Sequence, residues 1–335
     1  MATGYDEYPI IETNEYNYGI YPNIITQIEL ESMLSPIGPT GGHIYKMSDG
    51  KTPETVAMIQ CVGSRSLKAN PYCSSVCCNV ALKNAQLLKQ EYPDMDVVIF
   101  YIDIRTTDKG NEEYYRKIRE AGVRMIRGKV GEISEDDDHN LMLRTYSSLT
   151  GELTKIKADL VVLSTGMNPS KGTKEIIGVM GLGKGPNGFL TEVHGCLKPQ
   201  ETKNIGIYIC GSAAGPKNIP YSVSTALAAA SKAAALLSHK TIIQELIIAE
   251  IDEALCLGCH RCEKLCEYDA ISINDDEIAQ VEELKCKGCG VCISSCPARA
   301  IDLKYYRDRQ FEAEIKGIGN IEMDSSTEES TTVKN

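Results

Sequence analysis

Residues 256–266 read "CLGCHRCEKLC", and residues 286–297 repeat the pattern as "CKGCGVCISSCP". Each copy has the spacing C-x2-C-x2-C-x3-C, and the second copy ends in proline. Three thiolates on one tight loop can reach three irons of one cube, while the fourth follows a short helical turn and points to another cube. A zinc site would favour isolated C-x2-C pairs. The spacing therefore predicts two [4Fe–4S] clusters and an electron-carrying function.

The pattern is that of bacterial two-cluster ferredoxins, in which the last cysteine of each run serves the other cluster. The predicted ligands are Cys256, Cys259, Cys262 and Cys296 for one cluster, and Cys286, Cys289, Cys292 and Cys266 for the other. Glu267 stands where a proline usually follows the run. His260 lies inside the first run, and we expect it to be a surface or neighbouring residue rather than a ligand.

The composition indicates a globular chain of about two domains. The chain has 335 residues and a formal net charge of -11, which argues against binding to nucleic acid or to an anionic membrane surface. No apolar run approaches the roughly 20 residues of a membrane span, and the start "MATGYDEYPI" has no signal-peptide pattern. We therefore expect a cytoplasmic protein whose 14 cysteines mostly bind metal.

Before the cysteine-rich segment, buried strands alternate with helices, which is typical of a parallel sheet with crossover helices. Strands are predicted at 55–60, 96–103, 123–128, 158–166 and 204–210, helices at 74–91, 111–122 and 221–238, and an antiparallel meander at 129–158. Residues 1–50 are predicted to be irregular.

The character of the sequence changes near residue 245, and this change sets the predicted domain boundaries. Residues 1–245 form an α/β domain with an inner α/β subdomain at about 52–160, and residues 246–310 form an α+β two-cluster ferredoxin domain. The remaining residues, 311–335, are largely polar and are predicted to be disordered.

A third group of cysteines lies in "QCVGSR" and "YCSSVCC", between a predicted strand and the start of the next helix. A pyridine-nucleotide reductase would carry a glycine-rich phosphate loop here, but thiols replace it. A helix N-terminus favours thiolates and an anionic cluster. The pattern favours a third, atypically spaced [4Fe–4S] cluster on Cys61, Cys73, Cys77 and Cys78. A zinc site, a redox disulfide and plain buried cysteines stay open on spacing alone.

Two glycine turns follow later strands, in "VVLSTGMNPS" and "NIGIYICGSAAGPKNIPYSVSTALAAASKAAALL". Their order resembles the C-terminal part of thioredoxin-reductase-like flavoproteins, in which a helix N-terminus faces the flavin pyrimidine ring. Those flavoproteins have Gly-Asp where this chain has Gly211-Ser212. "MATGY" resembles their A-T-G turn, and the fingerprint G-x-G-x-x-G is missing. The resemblance implies that a separate polypeptide supplies the first half and that FAD is shared between the two.

On this resemblance, the FAD contacts are expected in the start of the chain, in the two glycine turns and in the following helix. They are Thr3, Gly4, Thr165, Gly166, Met167, Gly211, Ser212, Gly215, Pro216, Lys217, Asn218, Ile219, Pro220, Ser222 and Val223. An ordinary strand–turn–helix without a cofactor is the alternative.

The motifs "CVGSR", "YCSSVCCNVALK", "STGMNPS" and "GPKNIP", followed by the double cysteine run, occur in this order. Together they resemble the A-type subunit of heterodisulfide reductase, the flavin-containing component of this enzyme in methanogenic archaea and their relatives, up to about residue 310. The resemblance implies a cluster on the third cysteine group near FAD, and a catalytic Lys83 that lies near the flavin. The implied fold is a thioredoxin-reductase-like α/β flavoprotein half-domain followed by an α+β two-cluster ferredoxin domain. The N-terminal segment and inserted ferredoxin domain of that family are missing.

The family implies an oxidoreductase that performs flavin-based electron bifurcation. Hydrogenase or formate dehydrogenase would deliver electrons through an electron-transfer subunit, and they would leave towards ferredoxin and towards the coenzyme M–coenzyme B disulfide. The disulfide would be reduced in partner subunits of the B and C type. The alternatives are a relay with clusters only, or a related complex that passes electrons to a quinone without bifurcation. Cys196 and Cys210 are expected to be ordinary loop or core thiols.

Overall fold

The structure is a computed structural model that describes residues 1–13, 15–239 and 246–319. The strands are β1 (Tyr5–Glu7), β2 (Ile24–Thr26), β3 (Thr55–Val62), β4 (Asp96–Tyr101), β5 (Arg124–Arg127), β6 (Val130–Glu135), β7 (Leu141–Ser147), β8 (Glu152–Ala158), β9 (Leu160–Thr165), β10 (Met167–Pro169), β11 (Ala249–Ile251), β12 (Ile271–Ile273), β13 (Ala279–Val281) and β14 (Ile301–Leu303). The helices are α1 (Ile10–Thr13), α2 (Gln27–Leu34), α3 (Cys77–Glu91), α4 (Asn111–Glu120), α5 (Lys171–Met180), α6 (Ile219–Ser238), α7 (Arg261–Leu265), α8 (Val291–Ser295) and α9 (Asp308–Gly319).

A five-stranded parallel sheet in the order β2-β9-β3-β4-β5 forms the centre of the larger part of the chain. Helix α3 connects β3 to β4, and α4 connects β4 to β5. The central strands are continuous apolar runs, as expected for a parallel sheet that is covered on both faces. The α/β class predicted from the sequence is therefore confirmed.

Alternate residues of the sheet enter two separate cores, because successive side chains of a strand point to opposite faces. On β3, Val56 and Met58 pack with the apolar faces of α2 and α3. Ala57 and Ile59 pack with β6, β7 and β8, which form an antiparallel three-stranded sheet. The result is a layer of helices, the parallel sheet and the predicted meander.

The first 50 residues contain regular structure that the sequence reading missed. Strand β2 pairs with β9 in parallel, so the central sheet extends beyond the predicted inner subdomain at 52–160. Helix α2 begins with a capping box, in which Thr26 and Glu29 bond reciprocally to each other's backbone N–H groups. The signal was present as T-x-x-E in "TQIE", directly after the short apolar pair of β2.

The strand predicted at 204–210 is not formed within the described residues. Its backbone instead bonds to two separate segments. Ile209 N donates to Gln200 O at 2.8 Å and Ile207 O accepts from Thr202 N at 3.1 Å. On the other side, Cys210 N donates to Met1 O at 3.0 Å and Tyr208 O accepts from Met1 N. An apolar run becomes a strand only where a neighbouring strand continues its ladder, and these few bonds to short segments do not form one.

The cysteine-rich segment is built from two short antiparallel pairs, β11 with β14 and β12 with β13. Each five-residue helix follows a loop with the first two cysteines of a run and contains the third, Cys262 in α7 and Cys292 in α8. Helix α9 covers part of the segment 311–335 that was predicted to be disordered, and residues 320–335 lie outside the described residues.

The described chain divides into two compact units, one with residues 1–200 and 208–231, the other with residues 201–207 and 232–319. The predicted boundary at 245/246 itself falls beside residues outside the description, and it stays a prediction. In the part of the chain that the structure describes, no helix is both long enough and apolar enough to cross a membrane.

Candidate iron–sulfur and flavin sites

Two small cavities in the second unit each bring together one predicted set of four cysteines. Cys256, Cys259 and Cys262 line one cavity with Cys296 from the second run. Cys286, Cys289 and Cys292 line the other with Cys266 from the first run. The crossed grouping is the one that the spacing predicts for two cubic clusters.

The sulfur atoms of these cysteines accept backbone hydrogen bonds that suit an anionic cluster. Ala270 N donates to Cys266 Sγ and Ala300 N donates to Cys296 Sγ, both at 3.3 Å, through the same short turn in each repeat. Ala249 N donates to Cys286 Sγ at 3.3 Å, and Ala279 N to Cys256 Sγ at 3.5 Å. N–H groups aimed at thiolate sulfur stabilise its negative charge. The donor set therefore fits the predicted clusters.

The cysteine loops depend on glycine at equivalent positions. Gly258 and Gly288 have φ of +60° and +62°, and a Cβ at either position would overlap a backbone carbonyl, of Glu277 or of Ile247 respectively. Two residues later, His260 adopts φ of 58° where the second loop has Gly290. The Nδ1 atom of His260 lies 2.9 Å from Glu263 Oε2, and His260 also lines the cavity of the first cysteine set, so its expected role as a non-ligand stays a prediction.

Burial raises the pKa values of some of these thiols. Desolvation, followed by the nearby Cys286 and Cys289, raises the pKa of Cys292 to about 11. Desolvation also raises the pKa of Cys262. A coordinating metal removes the thiol proton outright, so these values describe the free thiols alone.

The third cysteine group lies at the carboxyl end of β3 and the N-terminus of α3. Cys61 is a buried residue with a left-handed φ of 62°, where the register of β3 shifts against β9. Cys77 and Cys78 are the first two residues of α3 and are both buried. Cys73 is half-buried in the preceding loop, and its Sγ accepts a bond from Ser75 N at 3.3 Å. The chain thus brings the four predicted ligands to one end of the sheet.

The electrostatics of this group differ from the expectation of helix-stabilised thiolates. Burial raises the pKa of Cys77 strongly and that of Cys78 to about 11, and the charges of Cys61 and Cys73 act in the same direction. For Cys77 and Cys78, burial therefore outweighs the helix terminus and favours the protonated thiol in the absence of a metal. Within the described residues, no three His, Cys, Asp or Glu side chains are arranged as a site for a single metal ion.

A charged group that the sequence reading did not single out lies beside Cys61 and Cys78. Arg65 pairs with Asp103, and Arg105 Nε lies 3.5 Å from the same carboxylate oxygen. Cys78 Sγ lies 3.9 Å from the backbone oxygen of Asp103. Burial opposes the charge of Asp103, but its hydrogen bond and ion pair with Arg65 hold its pKa below the ordinary value. Arg65 was visible in the quoted "CVGSR" motif, whereas Asp103 follows the next strand and no motif marks it.

One of the predicted flavin turns borders a cavity that also reaches the third cysteine group. We call it the turn cavity, and its lining includes the predicted contacts Thr165, Gly166 and Met167 together with Cys77 and Glu31. Glu31 Oε1 also lies 2.7 Å from the ammonium group of Lys83, which is about half exposed. Lys83 is therefore connected to this cavity through a carboxylate, a partner that the sequence reading did not identify.

The "GPKNIP" motif borders a second cavity, which we call the loop cavity. Pro216, Lys217 and Asn218 line it opposite Ser75 and Asn79, which flank Cys77 and Cys78. Burial lowers the pKa of Lys217. The side-chain oxygen of Asn79 is buried and has no hydrogen-bond partner among the described residues, so the loop cavity contains an acceptor without a donor. A bound group with N–H donors, such as a flavin ring, would fit this position.

The other predicted flavin residues lie in several different local structures. Asn218 caps α6, because its Oδ1 accepts a bond from Tyr221 N at 2.9 Å. Gly211 N donates to Thr225 Oγ1 at 3.0 Å, and Thr3 Oγ1 bonds to Thr173. Gly4 has φ of +74° just before β1. The remaining ones lie in the turn before α6 or in its first exposed turns: Ser212, Gly215, Ile219, Pro220, Ser222 and Val223.

Gln60 is a further residue that the sequence reading missed. It directly precedes Cys61 on β3 and is only 4% exposed. Within the described residues, neither its amide nitrogen nor its amide oxygen has a hydrogen-bond partner. An unpaired buried amide is costly, so this side chain suits a position beside a bound polar or anionic group.

Comparison with known proteins gives independent evidence for part of these sites. Residues 249–303 match the model of the 4Fe-4S dicluster domain family. The match covers both cysteine runs and confirms the predicted class of the second unit.

Curated proteins match nearly the whole chain. The chain is 47% identical over 325 residues to the A-type subunit of the H(2)/formate:CoB-CoM heterodisulfide,ferredoxin reductase of Methanococcus maripaludis, and the match covers 95% of this chain and 49% of that protein. It is also 47% identical to the A-type iron-sulfur subunit of the CoB--CoM heterodisulfide reductase of Methanocaldococcus jannaschii, with the same coverage of 95% and 49%. The corresponding subunit of the Ferredoxin/F(420)H(2)-dependent CoB-CoM heterodisulfide reductase of Methanosarcina acetivorans is 40% identical over 82% of this chain and 35% of its own length.

Among solved structures, thioredoxin reductase of T. acidophilum matches with a TM-score of 0.43 and 15% identity, over 70% of this chain and 62% of that chain. The observed strand order, rather than this match, supports the fold assignment. The chain spans about half the length of the first two curated relatives. Along nearly all of its own length, this chain is a homologue of the A-type subunit of heterodisulfide reductase.

Proposed function

We propose that this chain is the cluster-bearing and flavin-binding half of an A-type subunit of heterodisulfide reductase, an oxidoreductase component that binds three [4Fe–4S] clusters and shares FAD with the other half of the subunit. The observation that carries the proposal is the position of the third cysteine group. Cys61 lies at the carboxyl end of β3, Cys77 and Cys78 begin α3, and Cys77 also lines the turn cavity. Ligands in α/β sheets bind at this edge.

The residues around these cavities have separable roles. Cys61, Cys73, Cys77 and Cys78 would hold one cluster, and the two crossed sets in the second unit would hold the others. Bound FAD would supply two-electron chemistry next to one-electron clusters. Lys217 and Asn218 would orient the ring at the N-terminus of α6, where the helix end favours negative charge. Lys83 would adjust the local charge together with Glu31.

The proposal extends to the reaction of the complete enzyme complex. The relatives are named as reductases of the CoB-CoM heterodisulfide, linked in their names to hydrogen, formate, ferredoxin or F(420)H(2). By this relationship we infer flavin-based bifurcation. Electrons would arrive from hydrogenase or formate dehydrogenase through an electron-transfer subunit, and would leave to ferredoxin and to B- and C-type subunits where the disulfide is reduced.

A relay that carries clusters without flavin is the second candidate. The observation in its favour is Ser212, which stands where the flavoproteins it resembles have an aspartate that bonds to the flavin. Anaerobic purification separates the two candidates. We expect about twelve irons per chain, with FAD retained only when the other half of the subunit is present.

Cysteine variants test which thiols bind the counted iron. A Cys77→Ser/Cys78→Ser variant should lose about four irons, whereas Cys196→Ser, an exposed thiol, should lose none. About eight irons in the unmodified chain would contradict a cluster on the third cysteine group. Twelve irons without FAD in the complete complex would contradict the flavin site and support the relay.

A further inference from the structure

The part of helix α6 that belongs to the first unit, residues 219–231, has an apolar surface that the rest of this unit does not cover. Its first thirteen residues, Ile219–Ser231, contain no charged side chain, and Ala229 is their only buried residue. Ile219, Val223 and Leu227 are 80%, 53% and 67% exposed. Their spacing of four places them along one face of the helix, which we call the outer stripe.

The opposite side of α6 already contacts the rest of the chain. Thr225 Oγ1 accepts the bond from Gly211 N, and the half-buried or buried positions at Ser222, Thr225 and Ala229 follow helical spacing on that side. A helix that borders solvent normally carries charges on its outer face, and one that is apolar all round is normally buried. A contiguous apolar patch on the surface marks an interaction site.

We propose that the outer stripe is the docking surface for the part of the A-type heterodisulfide reductase subunit that this chain does not cover. This inference rests on the proposed function and adds the surface by which the two halves associate. The chain matches 95% of its own length but only 49% of the Methanococcus maripaludis relative, so about half of that relative has no counterpart in this chain and is the occupant we propose. The chain's polar terminal segment "MDSSTEESTTVKN" offers few apolar side chains for this purpose.

The test co-expresses the full chain anaerobically with the unmatched part of the Methanococcus maripaludis relative as a separate polypeptide. Ile219 and Val223 are also predicted flavin contacts, so the outer stripe is changed at Leu227, which is not one of them, by Leu227→Lys. Leu153→Lys is the matched control, because Leu153 is 66% exposed in the same unit, on β8. The dissociation constant is measured by sedimentation, and FAD absorbance is recorded separately. Hydrogen exchange across residues 219–231 of the unmodified chain is the second measurement.

Leu227→Lys should weaken association about tenfold or more while Leu153→Lys leaves it unchanged. The partner should also slow hydrogen exchange across residues 219–231. Equal association of both variants, or unchanged exchange in the complex, overturns the proposal. Self-association of the chain that Leu227→Lys abolishes also overturns it, because the stripe would then join two copies. Association that depends on Leu227 without any bound FAD supports the docking surface and contradicts the flavin proposal instead.

Discussion

Arg65 and Asp103 form an ion pair at the edge of the third cysteine group, and the positive charge of Arg65 also acts on the Cys61 thiol. Arg65 has a left-handed backbone, with φ of 55°, and its N–H bonds to Tyr72 O at 3.0 Å, so the loop holds it in place. A fixed cation beside a cluster ligand favours the more negative, reduced state of the cluster. Asp103 opposes part of that effect.

Replacing Arg65 should therefore make the proposed third cluster harder to reduce. We expect Arg65→Gln to lower its midpoint potential by roughly 60 mV, a tenfold change in the one-electron equilibrium constant. Redox titration followed by electron paramagnetic resonance measures this directly.

Arg65→Lys should restore much of the potential, because it keeps the charge. Arg116→Gln, on the exposed face of α4, is the control and should leave the potential unchanged. An unaltered potential in Arg65→Gln would show that its charge does not reach the cluster.

The glycines of the cysteine loops should be required for cluster assembly. Gly258→Ala places a Cβ against the carbonyl of Glu277 in a left-handed backbone, so the loop cannot close around its cube. We expect a loss of about four irons per chain, measured by iron analysis after anaerobic purification.

Gly178→Ala is the matched control, since Gly178 lies within α5 and a Cβ there meets nothing within 4 Å. It should keep its full iron content and gain up to about 1 kcal/mol of stability. Full iron content in Gly258→Ala would refute the steric argument.

Local patterns explain how much of the site could be predicted. The eight cysteines of the second unit follow a loop geometry that repeats in sequence, so their crossed grouping was predictable from spacing. The third group was predictable as a set, because Cys61 ends a strand and Cys77 begins the next helix. The burial of these cysteines was not predictable. It raises the pKa of the Cys77 thiol, whereas the helix N-terminus was expected to lower it.

The residues that were missed depend on contacts distant in sequence. Glu31 meets Lys83 across 52 residues, and Asp103 meets Arg65 across 38. No local spacing records such pairs. The prediction of a strand at 204–210 was wrong for the same reason. Strand formation depends on a neighbouring strand that is distant in sequence, and the apolar run does not encode that neighbour.

Gln60 should contribute to cofactor retention at the expense of stability. Its buried amide has no partner among the described residues, so Gln60→Leu removes an unsatisfied polar group and keeps most of the volume. We expect the free energy of unfolding to rise by about 1 kcal/mol, measured by denaturant titration. Because the same unpaired amide is able to bond to a bound cofactor, the variant should also lose iron or FAD.

The matched control for Gln60→Leu is Gln86→Leu, at a position on α3 where the amide oxygen already accepts a bond from the Tyr114 hydroxyl at 2.7 Å. Gln86→Leu should lower the free energy of unfolding, because it breaks a bond that exists. A loss of stability in Gln60→Leu would show that its amide is satisfied in the folded protein.

Lys83 and Glu31 allow the proposed catalytic role to be separated from a structural one. Their ion pair is exposed, with side chains 48% and 38% accessible, so breaking it should cost less than about 1 kcal/mol of stability.

If Lys83 acts on the flavin, Lys83→Met should shift the flavin potential downward in the complex with the other half of the subunit, because a cation that favours the anionic ring is lost. Glu31→Gln should shift it upward, since the ammonium group is then freed from its carboxylate. Spectroelectrochemical titration measures both, and Lys117→Met on α4 is the control. Shifts of the same sign in the two variants would contradict a charge effect of Lys83.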